Sequence, residues 1–425
     1  MTRPYSLPAL RALALYTQRL HVPHIQGGHV PHVQGEQTQG KPDADAIHAL
    51  VEQLGCVQID TLQMVQRSQY LVLWSRLGNY DPNVFDALLF GSDRRLFEGW
   101  QHAASIIPMA EYRYQMPHQR SLQEQPNDWY TRWLSENHNS ELLPQVLERI
   151  QQEGGLRASD FKYDGPRRGS WWDWKPAKIA LEYQYAFGNL MVANRLNFQR
   201  VYDLTGRILP DWVDMSEPTL EERDCFWIER GVRALGICNP AQAADYTWMK
   251  LGRARSAVAS LLKDGTLVEI EAGLMNSRTE TMLVHRDNLP LLEKAASGEI
   301  QPSRTTFLSP FDSLFWARQR DQKLWGFRQS LEAYLPAIKR TYGYFCLPIL
   351  HKDQLVGRFD PKLERKEHRL ILKALYLEPG IQPDEELVTA MADSLRDFMS
   401  FHQATDLSME KSEPAEFGQK LLAAM

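Results

Sequence analysis

Apolar residues recur at helical spacing from residue 7 to 20, again from 43 to 54 and from 82 to 90, and this pattern predicts three helices in the first part of the chain. Between them lies CVQIDTL, residues 56 to 62, which alternates as a strand. Successive side chains of a strand point to opposite faces, so Gln58 and Asp60 are expected on one face and Val57, Ile59 and Thr61 on the other. An amide beside a carboxylate has two readings, the wet outer face of an edge strand or a pair aimed at a reacting atom. The segment LFEGWQHAASIIP supplies a further extended piece.

The pattern then repeats on a larger scale. ELLPQVLERIQQEG, residues 141 to 154, reads as a helix stopped by Gly154 and Gly155, Ser159 offers a helix start, and a helix from about 175 to 187 ends at Gly188. LMVANRLNFQRVYDL follows as two strands around a polar turn. A second copy comes next. LEERDCFWIERGVRALG is a helix, NPAQAADYTWMK a shorter one with Asn239 as cap and Pro240 at its first position, and RARSAVASLLKDG a third, before the strands TLVEIEAG and TETMLVHRD. Helix, helix, helix, hairpin is the order of a winged helix-turn-helix.

After ASGEIQPSRTT the chain predicts short strands in LWGFRQSLEAYLP, YGYFCLPILHKDQLVGRFDPKLER and RLILKALYLEP, with HKDQ as a hairpin turn, a bulge near Gly357 and a closing helix from about 383 to 403. The expected fold class is α+β, with three tandem winged-helix units followed by a small antiparallel β-barrel. The boundaries are 1–135 for a first unit carrying the CVQID strand, 136–215 and 216–300 for the next two, 301–405 for the barrel and 406–425 for an acidic tail.

Bulk properties narrow the class. A chain of 425 residues with 43% hydrophobic content exceeds what one core serves, so several units are expected. The four cysteines stand far apart without a CxxC pair, which argues against a disulfide framework or zinc knuckle and fits a reducing compartment. Arg11 and Arg19 interrupt the apolar N-terminal stretch, so a signal peptide and a membrane span are not expected and a cytoplasmic location is. The net charge of −5 hides a contrast: Arg304 to Lys373 holds 14 Lys and Arg against 7 Asp and Glu, whereas Ala374 to Met425 holds 3 against 10. A basic region with an acidic neighbour is compatible with a phosphate-facing surface or with ordinary surface heterogeneity.

No phosphate-binding loop, dinucleotide fingerprint, HExxH, GxSxG or EF-hand is present, and no cofactor or metal is expected. Residues 21 to 36 duplicate an octapeptide, HVPHIQGG then HVPHVQGE; the four His are a metal hypothesis, and the interleaved Pro and Gly favour a loop grown by duplication. Candidate phosphate contacts are Lys175, Lys178, Arg195, Arg200, Lys339, Arg340, His351, Lys352 and Arg358, each with a solvated charged face as the plainer reading. Trp171, Trp172 and Trp174 read as core or as a stacking surface, and Asp312 as a structural cap.

The stretches VQIDT (57–61), RSQYLVLWSRLGNY (67–80), WWDWKP (171–176), NFQRVYDLTGRILPDW (197–212), LSPFD (308–312) and KRTYGYFCLPILHKDQLVGRFD (339–360) make the chain resemble the YcaQ-type winged-helix DNA glycosylases. That family includes glycosylases that unhook interstrand crosslinks and the azinomycin-resistance enzyme. The resemblance implies three winged-helix units and a β-barrel in a C-shape around duplex DNA, with the catalytic pair on Gln58 and Asp60. The duplicated HVPH loop departs from the family pattern.

The chemistry of the pair agrees. Ordinary glycosides need two carboxyl groups, one of them an acid for the leaving group. A purine alkylated at N7 already carries positive charge and leaves as a neutral base, so one carboxylate and one amide suffice. Asp60 would stabilise the oxocarbenium ion and hold water, and Gln58 would orient that water. An open cleft also suits a crosslinked base, which cannot be flipped alone. The expected partner is double-stranded DNA with alkylated or crosslinked purines, bound by a monomer away from any membrane. A non-enzymatic winged-helix transcriptional regulator is the alternative, and a His-loop metalloenzyme a third reading.

Overall fold

The computed structural model describes residues 4–22, 30–31, 37–38, 41–125, 127–136, 139–161 and 176–425. Most of the 21–36 repeat, the WWDWK stretch and Lys175 lie outside them. The chain folds as two compact units, one built from Met1–Phe85, Gln101–Ile106 and Asp224–Met425, the other from Asp86–Trp100 and Ile107–Arg223.

In the second of these, the helices Asn139–Glu153 and Pro176–Ala186 pack on a hairpin of Leu190–Leu196 and Gln199–Leu204, with Leu156–Arg157 as a third strand beside the latter. The hairpin closes through Asn197 and Phe198, whose φ angles of 50° and 66° are those of the mirror-image turn that matches strand twist. Val146, Ile150, Leu181, Leu190 and Tyr202 form its core. Ser159 does not start a helix: a single 3-10 turn spans Ala158–Asp160, and the Asp160 carboxylate accepts the Arg157 backbone N–H at 2.9 Å.

In the other unit, helices Leu220–Leu235, Pro240–Thr247 and Leu251–Lys263 precede strands Leu267–Gly273 and Thr279–His285, which pair without a break from Thr279↔Gly273 to His285↔Leu267. Asn239 caps the middle helix by accepting from the Gln242 N–H while Gln242 reaches back to the Asn239 N–H. Behind this hairpin, Leu10 and Leu13 of the N-terminal helix, Ile237, Met282 and Val284, and Leu314, Leu324 and Leu350 share one hydrophobic cluster. The N-terminal helix, the third helical segment and the C-terminal sheet thus share apolar packing rather than each closing its own core.

That sheet runs Thr305–Phe307, Leu347–His351, Gln354–Glu364, Arg369–Leu377 and Asp406–Met409 in order, curled but open among the described residues. Gly357 flanks a bulge, where Ile349 pairs Gly357 and Leu350 pairs Leu355; a Cβ at Gly357 would lie 2.2 Å from the Tyr376 carbonyl oxygen. Two expectations are corrected. LWGFRQSLEAYLP is not a strand: the Arg320–Trp325 helix is followed by irregular chain. The acidic tail is folded, adding Asp406–Met409 and Ser412–Glu413 to the sheet in parallel and a helix, Ala415–Ala424, whose Phe417 and Leu421 are fully buried. Sheet pairing supplies what that segment's composition does not reveal. Among the described residues no helix is long and apolar enough to cross a membrane.

The Glu385–Phe401 helix lays Phe398 against Trp74 and Phe307. Beside that aromatic cluster lies a buried ion pair, Arg76 with Asp312. Asp312 caps the turn at Ser313–Phe315 by accepting the Leu314 N–H at 3.0 Å, while Arg76 also donates to the Gln18 carbonyl at 3.1 Å and side-chain oxygen at 3.2 Å. Removing one partner leaves the other charged and buried, so Asp312→Ala is expected to cost about 3–5 kcal/mol of unfolding free energy. The paired replacement Arg76→Met with Asp312→Leu should cost clearly less, as measured by urea denaturation of each variant.

Candidate active site

Val57–Gln58 is a strand of only two residues, paired antiparallel to Ala104–Pro108 through Val57↔Ile106 and Gln58↔Ser105. The Ile59 N–H still donates to the Ala104 carbonyl at 2.8 Å, and there the ladder ends. The seven-residue alternating strand is therefore corrected. Asp60 turns its carboxylate onto its own backbone, accepting the Leu62 N–H at 2.7 Å, and such a side-chain bond competes with strand pairing. Gln58 and Asp60 are both half-buried. Among the described residues no cation pairs with Asp60.

Burial raises the Asp60 carboxyl above its ordinary range, and the Leu62 and Thr61 N–H groups hold it back. The turn that follows is tied to the sheet, since Leu363 N–H donates to the Met64 carbonyl at 3.1 Å and Arg365 to the Val65 carbonyl at 2.6 Å. Tyr334 stands within reach of the Asp60 field: burial first, then that carboxylate, pushes its hydroxyl up. Its ring is nevertheless 73% exposed, close in sequence to Leu335 and a 94% exposed Ile338. The base of this projecting segment is held by the Glu332 carboxylate, which accepts the N–H groups of Thr341 and Tyr342 at 2.9 and 2.8 Å and of Gly343 at 3.2 Å.

The other expected residues divide sharply. Arg358 is a core residue, 2% exposed, sandwiched by Phe327 and Tyr342 and paired to Glu378 at 2.7 Å; burial corrects its reading as a phosphate contact. Arg195 and Arg200 converge on the buried Glu98, Arg195 donating to it at 2.7 Å and Arg200 lying 3.5 Å away and also pairing with Glu182, so their charges are largely neutralised within the fold. His351 is half-buried, bonded to the Thr305 hydroxyl, and burial lowers its pKa. Lys352 pairs with Glu386, Arg340 lies over the Tyr344 ring, Lys339 is exposed, and Lys178 is half-buried. The basic balance of residues 304–373 is partly internal too, since Arg304 and Arg320 are also buried. Among the described residues no three His, Cys, Asp or Glu side chains gather as a metal site.

Residues 51–401 match the family model of the AlkZ-like DNA glycosylases. The chain belongs to that family. Its fold is similar to that of the DNA glycosylase AlkZ of Streptomyces sahachiroi, with a TM-score of 0.60 and 14% identity, over 96% of this chain and all of the other. An AlkZ-like DNA glycosylase acts on DNA by hydrolysing N-glycosidic bonds. Tyr334 and Arg365 escaped the sequence reading, because no local period marks a residue brought near the Asp60 turn from a distant segment.

The Asp60 shift carries a stability consequence. A carboxyl whose pKa is raised by folding binds its proton more tightly folded than unfolded, so its ionised form subtracts from stability at neutral pH, and the subtraction fades as pH falls through the raised value. Asp60→Asn is thus expected to melt no lower than wild type at pH 7. Its advantage should shrink as the pH is lowered, and thermal melts across pH 4.5 to 8 will show whether it does.

Proposed function

We propose that this chain hydrolyses the N-glycosidic bond of N7-alkylated purines in duplex DNA, including those tied in interstrand crosslinks. The observation that carries the reading is the Asp60 carboxylate, half-buried and without a cationic partner among the described residues. Asp312, by contrast, is fully buried and paired with Arg76. Asp312 holds the fold, whereas Asp60 is available to a positive charge that arrives with the substrate.

An N7-alkylated purine departs as a neutral base, so the developing charge lies on the sugar. Asp60 stabilises that oxocarbenium ion and holds the attacking water, and Gln58, with no side-chain hydrogen bond among the described residues, orients the water through its amide. Attraction between unit charges 4 Å apart is about 1 kcal/mol in water and about 4 kcal/mol at an effective dielectric near 20, so the partial burial that costs stability strengthens the site. The segments that end in the Leu190–Leu204 and Leu267–His285 hairpins are read as DNA-binding winged-helix units, with Lys178, Lys339, Arg340 and Lys352 as phosphate contacts. A regulator would gain nothing from an unpaired carboxylate facing its DNA.

The test uses duplexes carrying N7-methylguanine or a nitrogen-mustard crosslink and scores alkali-labile abasic sites. Asp60→Asn is expected to lose about 10²- to 10⁴-fold in base release while binding DNA within a few fold of wild type, and Gln58→Ala to lose less. The acidic limb of wild-type kcat/KM should lie above the ordinary aspartate value of about 3.9. Wild-type protein that binds such duplexes and releases no base would return the regulator reading.

A further inference from the structure

The turn between the Pro240–Thr247 and Leu251–Lys263 helices carries an unusual residue. Trp248 follows the first of these helices in the left-handed region, with φ 53° and ψ 34°. Gly or Asn occupies that conformation at little cost, whereas a bulky side chain does so under strain. Burial does not compensate, because Trp248 is 71% exposed, the most exposed Trp among the described residues. Neither helix capping nor core packing accounts for a large ring here.

The ring is braced from below. His102 meets it at 5.5 Å, nearly perpendicular, and lies flat on Trp316 at 4.2 Å with 2° between the planes. Trp316 in turn contacts the buried Tyr246 at 5.0 Å, so a column of four rings runs from the core to solvent. Asp245 fixes the column's surroundings. Its carbonyl oxygen meets His102 Nδ1 at 3.0 Å, and its carboxylate accepts the Arg318 backbone N–H at 3.0 Å and pairs with Arg318 Nε at 3.1 Å. The Arg318 side chain remains 82% exposed, its direction set by that pairing.

The place of this cluster gives it meaning. Gln58 pairs Ser105 and the Ile59 N–H reaches the Ala104 carbonyl, so His102 lies two residues along the chain from the backbone that meets the residue before Asp60. A fixed aromatic surface and an oriented guanidinium are thus tied through His102 and Asp245 to the chain that pairs with the Gln58 strand. We propose that Trp248 is a stacking platform for a nucleobase of the bound DNA beside Asp60, and that Arg318 takes a phosphate of the same strand. Aromatic rings accept any base through its π face, and a guanidinium matches phosphate oxygens.

The inference rests on the DNA glycosylase reading of the Asp60 site, and the test separates the two by measuring DNA affinity as well as base release. With a duplex carrying N7-methylguanine, Trp248→Ala is expected to weaken binding about tenfold and kcat/KM at least as much, and Trp248→Phe to restore most of both. Arg318→Ala should lower the slope of log affinity against log salt by about 0.9, the share of one phosphate, whereas Trp248→Ala should leave the slope unchanged. Trp248→Gly, relieved of left-handed strain, should melt no lower than wild type, which separates lost stacking from lost folding. Trp248→Ala with wild-type affinity and wild-type kcat/KM would overturn the platform. If wild type releases no base, the glycosylase reading fails, and the affinity loss in Trp248→Ala with rescue by Phe still decides for or against stacking.

Discussion

The ion pair between Arg76 and Asp312 holds together segments more than two hundred residues apart in sequence. Both side chains are withdrawn from water, and a buried pair is tolerated only when the remaining hydrogen-bonding groups also find partners. Here they do. Gln18 accepts from Arg76, receives a bond from the Ser313 hydroxyl and passes its own amide to the Ala234 carbonyl. Arg304, its pKa pulled down to about 9 by burial, donates to the Ser75 and Arg76 carbonyls. The N-terminal helix, the helix that follows the Asp60 turn, the third helical segment and the C-terminal sheet are joined at this point. The Asp60 turn is therefore fixed at both ends, by the Ser105 and Ala104 pairing before it and by the Ser68–Leu77 helix behind it.

Three aspartates show how placement divides labour among identical side chains. Asp312 meets a guanidinium, and Asp360 is buried and accepts the Tyr344 and Phe345 N–H groups at 2.8 and 3.0 Å. Each is saturated and serves the fold. Asp60 has backbone donors and partial burial but no cation among the described residues, so its charge costs stability and stays available. The proposed chemistry needs that imbalance, because a carboxylate already neutralised by a neighbour has little field left for a sugar cation.

Arginine is used in a similarly divided way. Arg358, Arg304 and Arg320 are interior although all three count toward the basic balance of residues 304–373, and Arg195 and Arg200 are absorbed around Glu98. A guanidinium stacked on rings and bonded to carbonyls is a structural group as much as a charged one. Counting Lys and Arg along a segment therefore overstates the positive surface. Arg318, pinned by Asp245 yet open to solvent, is the contrary case.

What the chain alone determined is local. The second helix-helix-helix-hairpin run forms where periodicity placed it, Asn239 caps its helix, Gly357 flanks the bulge, and Lys352 and Asp353 turn the HKDQ hairpin. These features depend on side chains within a few residues of each other, so sequence pattern carries them. Gln58 and Asp60 were legible by type, and by the family stretches around them, but not by geometry. The strand ends at Gln58 because Asp60 bonds its own backbone, a competition that alternation does not encode. Whether a carboxylate meets a guanidinium, as Asp312 does, and whether an arginine faces solvent or a phenylalanine, as Arg358 does, were decided by segments outside the local pattern. Only tertiary packing brings those segments together, and desolvation and pairing are properties of that packing.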